Sequence, residues 1–172
     1  GSGKSVLLQD LTSSFAGVGA KTIVIDDGRS FEHMAKALGG TFTEFKLSSG
    51  ISINPFRMVD PELAGEDEDY LVDCLAMLKA IVSQMARPED RCALIDRVKA
   101  ANYPYAHDLA IALLPFTSEG TFGKFFLGEA NLDLSADLTV FELSNLATRE
   151  ELRGVVLTSI MFIASQTMRR MD

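Results

Sequence analysis

The 172-residue sequence predicts an α/β fold: a mostly parallel sheet interrupted by an inserted helical segment. Three observations predict it. A Gly-rich opening, "GSGKS", runs straight into a helical pattern. Two short apolar runs that each end in an acid, "TIVIDD" and "LTVFE", have the form of strands in a parallel sheet. Between them lies a long stretch with helical spacing and little β character.

Taken in order, Val6, Leu7, Leu8, Leu11 and Phe15 keep helical spacing after the opening, and "AGVGA" stops that helix. "KTIVIDDG" then reads as a strand buried on both faces. "SFEHMAKALGG" reads as a helix with Ser30 as its N-cap and Gly39-Gly40 as its end. "TFTEFKL" and "ISINPF" read as short extended segments. The acidic, turn-rich "DPELAGEDEDY" leads into a helix on which Leu71, Cys74, Leu75, Leu78, Ile81, Val82 and Met85 hold one apolar face. "PEDRCALIDRVKAA" and "AHDLAIALLPF" add two more helices. β signals return in "TFGKFFLG" and "DLTVFELSNL". The last helix, "REELRGVVLTSIMFIASQTMRR", is apolar around most of its circumference, as a helix buried under a sheet or at an interface would be. The expected division is therefore 1–56 as the first part of the core, 57–118 as a helical insertion and 119–172 as the return to the core.

Composition narrows the function classes. Hydrophobic residues make up 47% and charged residues 23%, as in soluble globular proteins. The net charge of −8 supplies no global basic field, so nucleic acid is not indicated as a partner. The longest apolar stretch, "GVVLTSIMFIAS", falls short of the roughly 20 residues that a bilayer-spanning helix needs. Cys74 and Cys92 lack metal-ligand spacing and read as buried thiols in a reducing compartment. His33 and His107 are isolated, and no serine has a nucleophile-elbow setting.

The chemistry concentrates at the opening. Gly3, Lys4 and Ser5 form the end of the phosphate-loop motif G-x-x-x-x-G-K-[ST], with Gly1 and Ser2 as preceding loop positions. Glycines let backbone N–H groups turn toward phosphate, and the helix that follows aims free N–H groups and its positive dipole end at the anion. Lys4 is expected to reach the β- and γ-phosphates of a bound nucleotide, and the Ser5 hydroxyl to ligate Mg²⁺. The first glycine of the motif is expected ahead of residue 1, so the chain reads as a segment of a longer P-loop NTPase. Acids at strand ends are the candidates for approaching the nucleotide or its Mg²⁺: Asp26 or Asp27 first, then Glu142. Turn and helix capping compete for the same residues.

The order "GSGKS", "TIVIDDGRSFEHMAKALGGTFTEF", "ISINPF" and "TFGKFFLG…NLDLSADLTVFELSNL" resembles the ATPases of conjugative type IV secretion systems, the TraC family. The matching residues are Asp26, Gly28, Arg29, Ser30, Phe31, Gly39 and Gly40, the "INPF" of Ile53 to Phe56 and the "VFEL" of Val140 to Leu143. The resemblance covers most of the chain and is weakest between 57 and 118. It implies a RecA-like motor domain, truncated here at both ends, that binds ATP and Mg²⁺ and assembles as a hexamer. Its place would be the cytoplasmic face of the inner membrane, among secretion-system components. It also implies that the Mg²⁺-binding Asp and catalytic Glu follow the last helix, which would leave this segment alone inactive. Arg29 is then a candidate contact to phosphate or a neighbouring subunit, against the plainer expectation that it is solvated or paired with Asp26 or Asp27. Two other readings compete: a DNA-pumping motor of the FtsK/HerA group, and a nucleotide-binding or assembly module without hydrolysis.

Overall fold

A computed structural model describes residues 3–85 and 113–169. Gly1, Ser2, Cys92, His107 and the helices expected within 86–112 lie outside the described residues. The chain divides into two compact units, one drawn from Gly1–Ser49 and Asp133–Thr148, the other from Gly50–Leu132 and Arg149–Asp172.

The first unit is an α/β layer. Helix α1 (Lys4–Gly17) ends where the Gly19 and Ala20 N–H groups turn back to Ala16 and Phe15, with Gly19 at φ 75°. Strand β1 (Thr22–Asp26), helix α2 (Glu32–Ala37) and strand β2 (Thr41–Glu44) follow. Strand β3 (Leu138–Glu142) then inserts between them, giving a parallel sheet of order β1-β3-β2. This confirms the α/β class and the parallel sheet. Among the described residues the strand buried along its whole length is β3, however, whereas β1 lies at an edge of the described sheet with Ile25 exposed. An apolar run announces a strand but not its place in the sheet.

Helix α2 packs Phe31, Ala35 and Met34 against Leu138, Val140, Val24 and Phe42. Gly40 lies so close to β3 that a Cβ there would stand 2.6 Å from the Leu138 carbonyl oxygen. Ser30 does not cap α2. The N-cap position is Phe31, which makes no side-chain cap, and the Asp26 carboxylate at the end of the preceding strand accepts the Phe31 N–H at 3.0 Å.

In the second unit, α3 (Pro61–Glu66) is capped by Asp60, whose Oδ1 accepts from Glu62 and Leu63. Helix α4 (Glu68–Met85) packs on α5 (Glu150–Arg169), and Arg169 pairs with Asp73 at 2.7 Å. The final helix thus packs on a helix of its own unit, and it clusters with residues 50–132. The buried face of α4 is Tyr70, Cys74, Met77 and Ile81, leaving Leu71 and Leu75 exposed, which corrects the apolar stripe read from spacing alone.

Two expected extended segments also differ. "ISINPF" contributes no strand but a 3-10 turn at Pro55–Arg57, and "TFGKFFLG" folds into turns with a 3-10 helix at Gly123–Phe125. The two segments join each other. Ile53 N–H donates to Phe125 O, Asn131 N–H to Ser52 O, and the Ser52 hydroxyl to Leu127 O. Gly123 permits this path, since a Cβ there would lie 2.1 Å from Thr117 O.

Candidate functional site

The parallel register places three carboxylates in one row at the end of the sheet. Asp26 pairs with Glu142, and Glu142 with Glu44, each the last residue of its strand. Ligands of open α/β sheets bind beyond this end of the strands. The short connection over 18–21 reverses the chain between α1 and β1, so the N-terminal half of α1 lies at the same end. A hydrogen bond from Gln9 Nε2 to Ser30 O ties that half of α1 to the β1–α2 loop.

Lys4 and Ser5 open α1 and are exposed. Gly3 is the N-cap and makes no side-chain cap, and the first turn carries no acid. The first-turn N–H groups therefore have no intrahelical acceptor and face no negative side chain of their own turn. Among the described residues a Cβ at Gly3 would meet nothing within 4 Å. These donors fit a phosphate group. The Ser5 hydroxyl offers Mg²⁺ a single oxygen, and such ions characteristically complete their shell with phosphate and water.

The β1–α2 loop is held by two carboxylates. Asp26, itself buried, accepts from Asp27 N–H at 2.9 Å and from Phe31 N–H. Glu142 is fully buried and accepts from Arg29 N–H at 2.6 Å, Gly28 N–H at 3.3 Å and Ser144 N–H at 2.7 Å. Burial alone would push its carboxyl up. The bonds from Ser144, Arg29 and Gly28 outweigh that and hold it below its ordinary value.

The same loop sets Arg29 in the left-handed region at φ 57°, a conformation that favours glycine. Its Nε lies 3.0 Å from Glu32, its Nη1 2.8 Å from Glu44, and its guanidinium 5.9 Å from the Phe42 ring centre. Arg29 thus pairs with Glu32 and Glu44, while its side chain stays half exposed to solvent, as the solvated alternative of its plainer reading expected. Lys36 and Arg29 together bring the Glu32 carboxyl down to about 2. Glu44, which also accepts from Lys46 and Asn145, is lowered as well.

Asp26, Arg29 and Glu142 are therefore brought together, at the sheet end where Lys4 and Ser5 open α1. Sequence reasoning missed Gln9 and Glu44. Glu44 carried a usable signal, an acid ending a short β-rich run, whereas Gln9 carried none. Among the described residues, no group of three or more His, Cys, Asp or Glu side chains could hold a metal ion. No described helix is long and apolar enough to cross a membrane. Cys74 is a buried free thiol, and His33 is exposed.

A family model described as the TraG P-loop domain matches residues 1–99, more than half of the chain. The chain belongs to the TraG P-loop domain family. The matched span contains α1, β1, α2 and β2, so the α/β unit is part of a P-loop NTPase core. A P-loop domain implies nucleotide binding. The chain is also similar to Protein TraC of Escherichia coli (strain K12), 24% identical over 199 aligned positions. The alignment takes in 99% of this chain but 22% of that protein, so the chain spans less than a quarter of its relative's length. No solved structure matches it.

Proposed function

We propose that this chain is the nucleotide-binding segment of an ATPase that powers conjugative type IV secretion, in pilus assembly or substrate transfer. The observation that carries the reading is the uncapped, acid-free N-terminus of α1 bearing Gly3, Lys4 and Ser5, in a chain of the TraG P-loop family. Backbone N–H groups of Gly1, Ser2 and Gly3 cradle the phosphates of ATP, Lys4 neutralises the β- and γ-phosphates, and the Ser5 hydroxyl takes one position on Mg²⁺. Bound Mg²⁺ would draw charge from the phosphate oxygens. Asp26 and Arg29 face the nucleotide from the β1–α2 loop. On this reading the whole protein is a RecA-like motor that works as a hexamer at the cytoplasmic face of the inner membrane, beside secretion-system components.

A second reading, a nucleotide-binding or assembly module without hydrolysis, is favoured by one observation. The two buried strand-end acids, Asp26 and Glu142, already accept loop N–H groups. The deciding experiment is ATP hydrolysis by the full-length chain against its Lys4→Ala variant over a range of protein concentrations. The motor predicts lysine-dependent turnover that rises per molecule with concentration. Lysine-dependent ATP binding with no turnover at any concentration supports the module. ATP binding that ignores Lys4→Ala would refute both.

A further inference from the structure

Glu142 combines two properties that a strand-ending acid need not have. It is fully buried, and its acceptors are spent on backbone donors from two separate loops, Gly28 and Arg29 on one side and Ser144 on the other. We propose that Glu142 is a positioning residue for the nucleotide site, setting through the Gly28–Arg29 backbone where the Arg29 guanidinium stands. The proposal rests on the reading that Lys4 and Ser5 hold a nucleotide phosphate.

The geometry supports a division of labour. The ion pairs of Arg29 with Glu32 and Glu44 involve a half-exposed side chain, and exposed pairs are individually weak. They cannot by themselves hold a non-glycine residue at φ 57°. The part-buried, charge-assisted bond from Arg29 N–H to Glu142 can. Gln9, which donates to Ser30 O in the same loop, lies five positions after Lys4, or roughly 7 Å of helix rise. An arginine side chain on that loop can span such a distance. Glu142 would therefore act on bound phosphate without touching it, by fixing the backbone from which Arg29 reaches.

A double-mutant cycle on the full-length chain tests this, with ATP affinity read by titration calorimetry and folding checked by thermal unfolding. Lys4→Ala is the control for the parent reading, and its failure to weaken ATP binding would overturn that reading and this proposal with it. With the control intact, Arg29→Ala is expected to weaken ATP binding about tenfold, the scale of one charge-assisted contact. Glu142→Gln is expected to weaken it comparably, and the double variant no more than either single one. Glu142→Asp, which keeps the charge but is shorter by a methylene, is expected to fall between wild type and Glu142→Gln. Hydrogen exchange at the Arg29 amide should speed up in both Glu142 variants. An equal loss from Glu142→Gln with and without Arg29 would overturn the proposal, as would an Arg29→Ala variant with unchanged affinity. Failure of both Glu142 variants to fold would assign the residue to stability alone and overturn it too.

Discussion

Arg29 Nη1 lies 2.8 Å from Glu44 Oε1, a pair that joins the loop after β1 to the end of β2 across the end of β3. The two strands linked in this way, β1 and β2, are not hydrogen-bonded neighbours. The meeting of Arg29 and Glu44 depends on β3 sliding between the two strands in parallel register, which also brings the Glu142 carboxylate under the Arg29 backbone. The polar cluster is thus a product of strand order, and the predictions below probe its parts.

The left-handed backbone at Arg29 should show itself in a comparison of two truncations. Arg29→Ala and Arg29→Gly both remove the guanidinium, but only alanine keeps a Cβ at φ 57°. Arg29→Gly is expected to be the more stable by about 1 kcal/mol, the reverse of the order in a helix interior. Urea unfolding midpoints of the two variants measure the difference, and equal midpoints would contradict the left-handed assignment.

Close backbone approach should separate two glycines in the second unit. Gly123→Ala places a Cβ 2.1 Å from the Thr117 carbonyl oxygen, where a rigid backbone must move. A loss of about 2–3 kcal/mol is expected, in the range of overpacked sites. Gly65→Ala lies within α3 with nothing inside 4 Å, so a gain of about 0.5–1 kcal/mol is expected from helix propensity. Thermal unfolding of the pair checks both signs at once.

Acid should weaken the first unit through its carboxylates. Glu32 is held at about 2 against an ordinary 4.5, and Glu44 and Glu142 are also lowered. A carboxyl held low in the folded chain adds stability above its unfolded value and loses it as pH falls toward the folded one. Stability is therefore expected to drop as pH falls from 4.5 toward about 2, the window Glu32 defines. In Arg29→Ala the slope of unfolding free energy against pH should be shallower over that window, because Glu32 and Glu44 lose a shared partner. A slope unchanged by the substitution would count against the Arg29 pairs.

The Asp26 bonds at the start of α2 offer a last check. Asp26→Asn retains the size of the side chain but replaces one acceptor oxygen by an amide that cannot accept from Asp27 or Phe31. A loss of about 1 kcal/mol is expected, the scale of one lost hydrogen bond. Faster amide exchange at Phe31 should accompany it, whereas Ser30→Ala should leave that amide unchanged.

Much of the fold could be read along the chain. The helical spacing after "GSGKS" gives α1, the apolar runs ending in acid give β1 and β3, and the last periodic stretch gives α5, because each signal is local. The misread pieces share a different cause. "ISINPF" and "TFGKFFLG" bond to each other across a separation of 75 positions, from Ser52 to Leu127, and no local pattern announces such a partner. On α4 the apolar residues exceed what one face can bury. The choice of Tyr70 and Met77 over Leu71 and Leu75 belongs to the packing, in which α4 meets α5.

The candidate site divides along the same line. The sequence by itself marked Gly3, Lys4 and Ser5 as the candidate phosphate-loop residues, since backbone turning, a helix start and a cation are specified by consecutive residues. It also marked Asp26 and Glu142 as strand-ending acids. Only the tertiary structure decided what those acids do. Arg29 and Glu142 stand 113 positions apart, and they meet because β3 pairs in register between β1 and β2. The Glu142 carboxylate in that row is buried, and a buried acceptor must find donors, so it gathers the N–H groups of the loops above it.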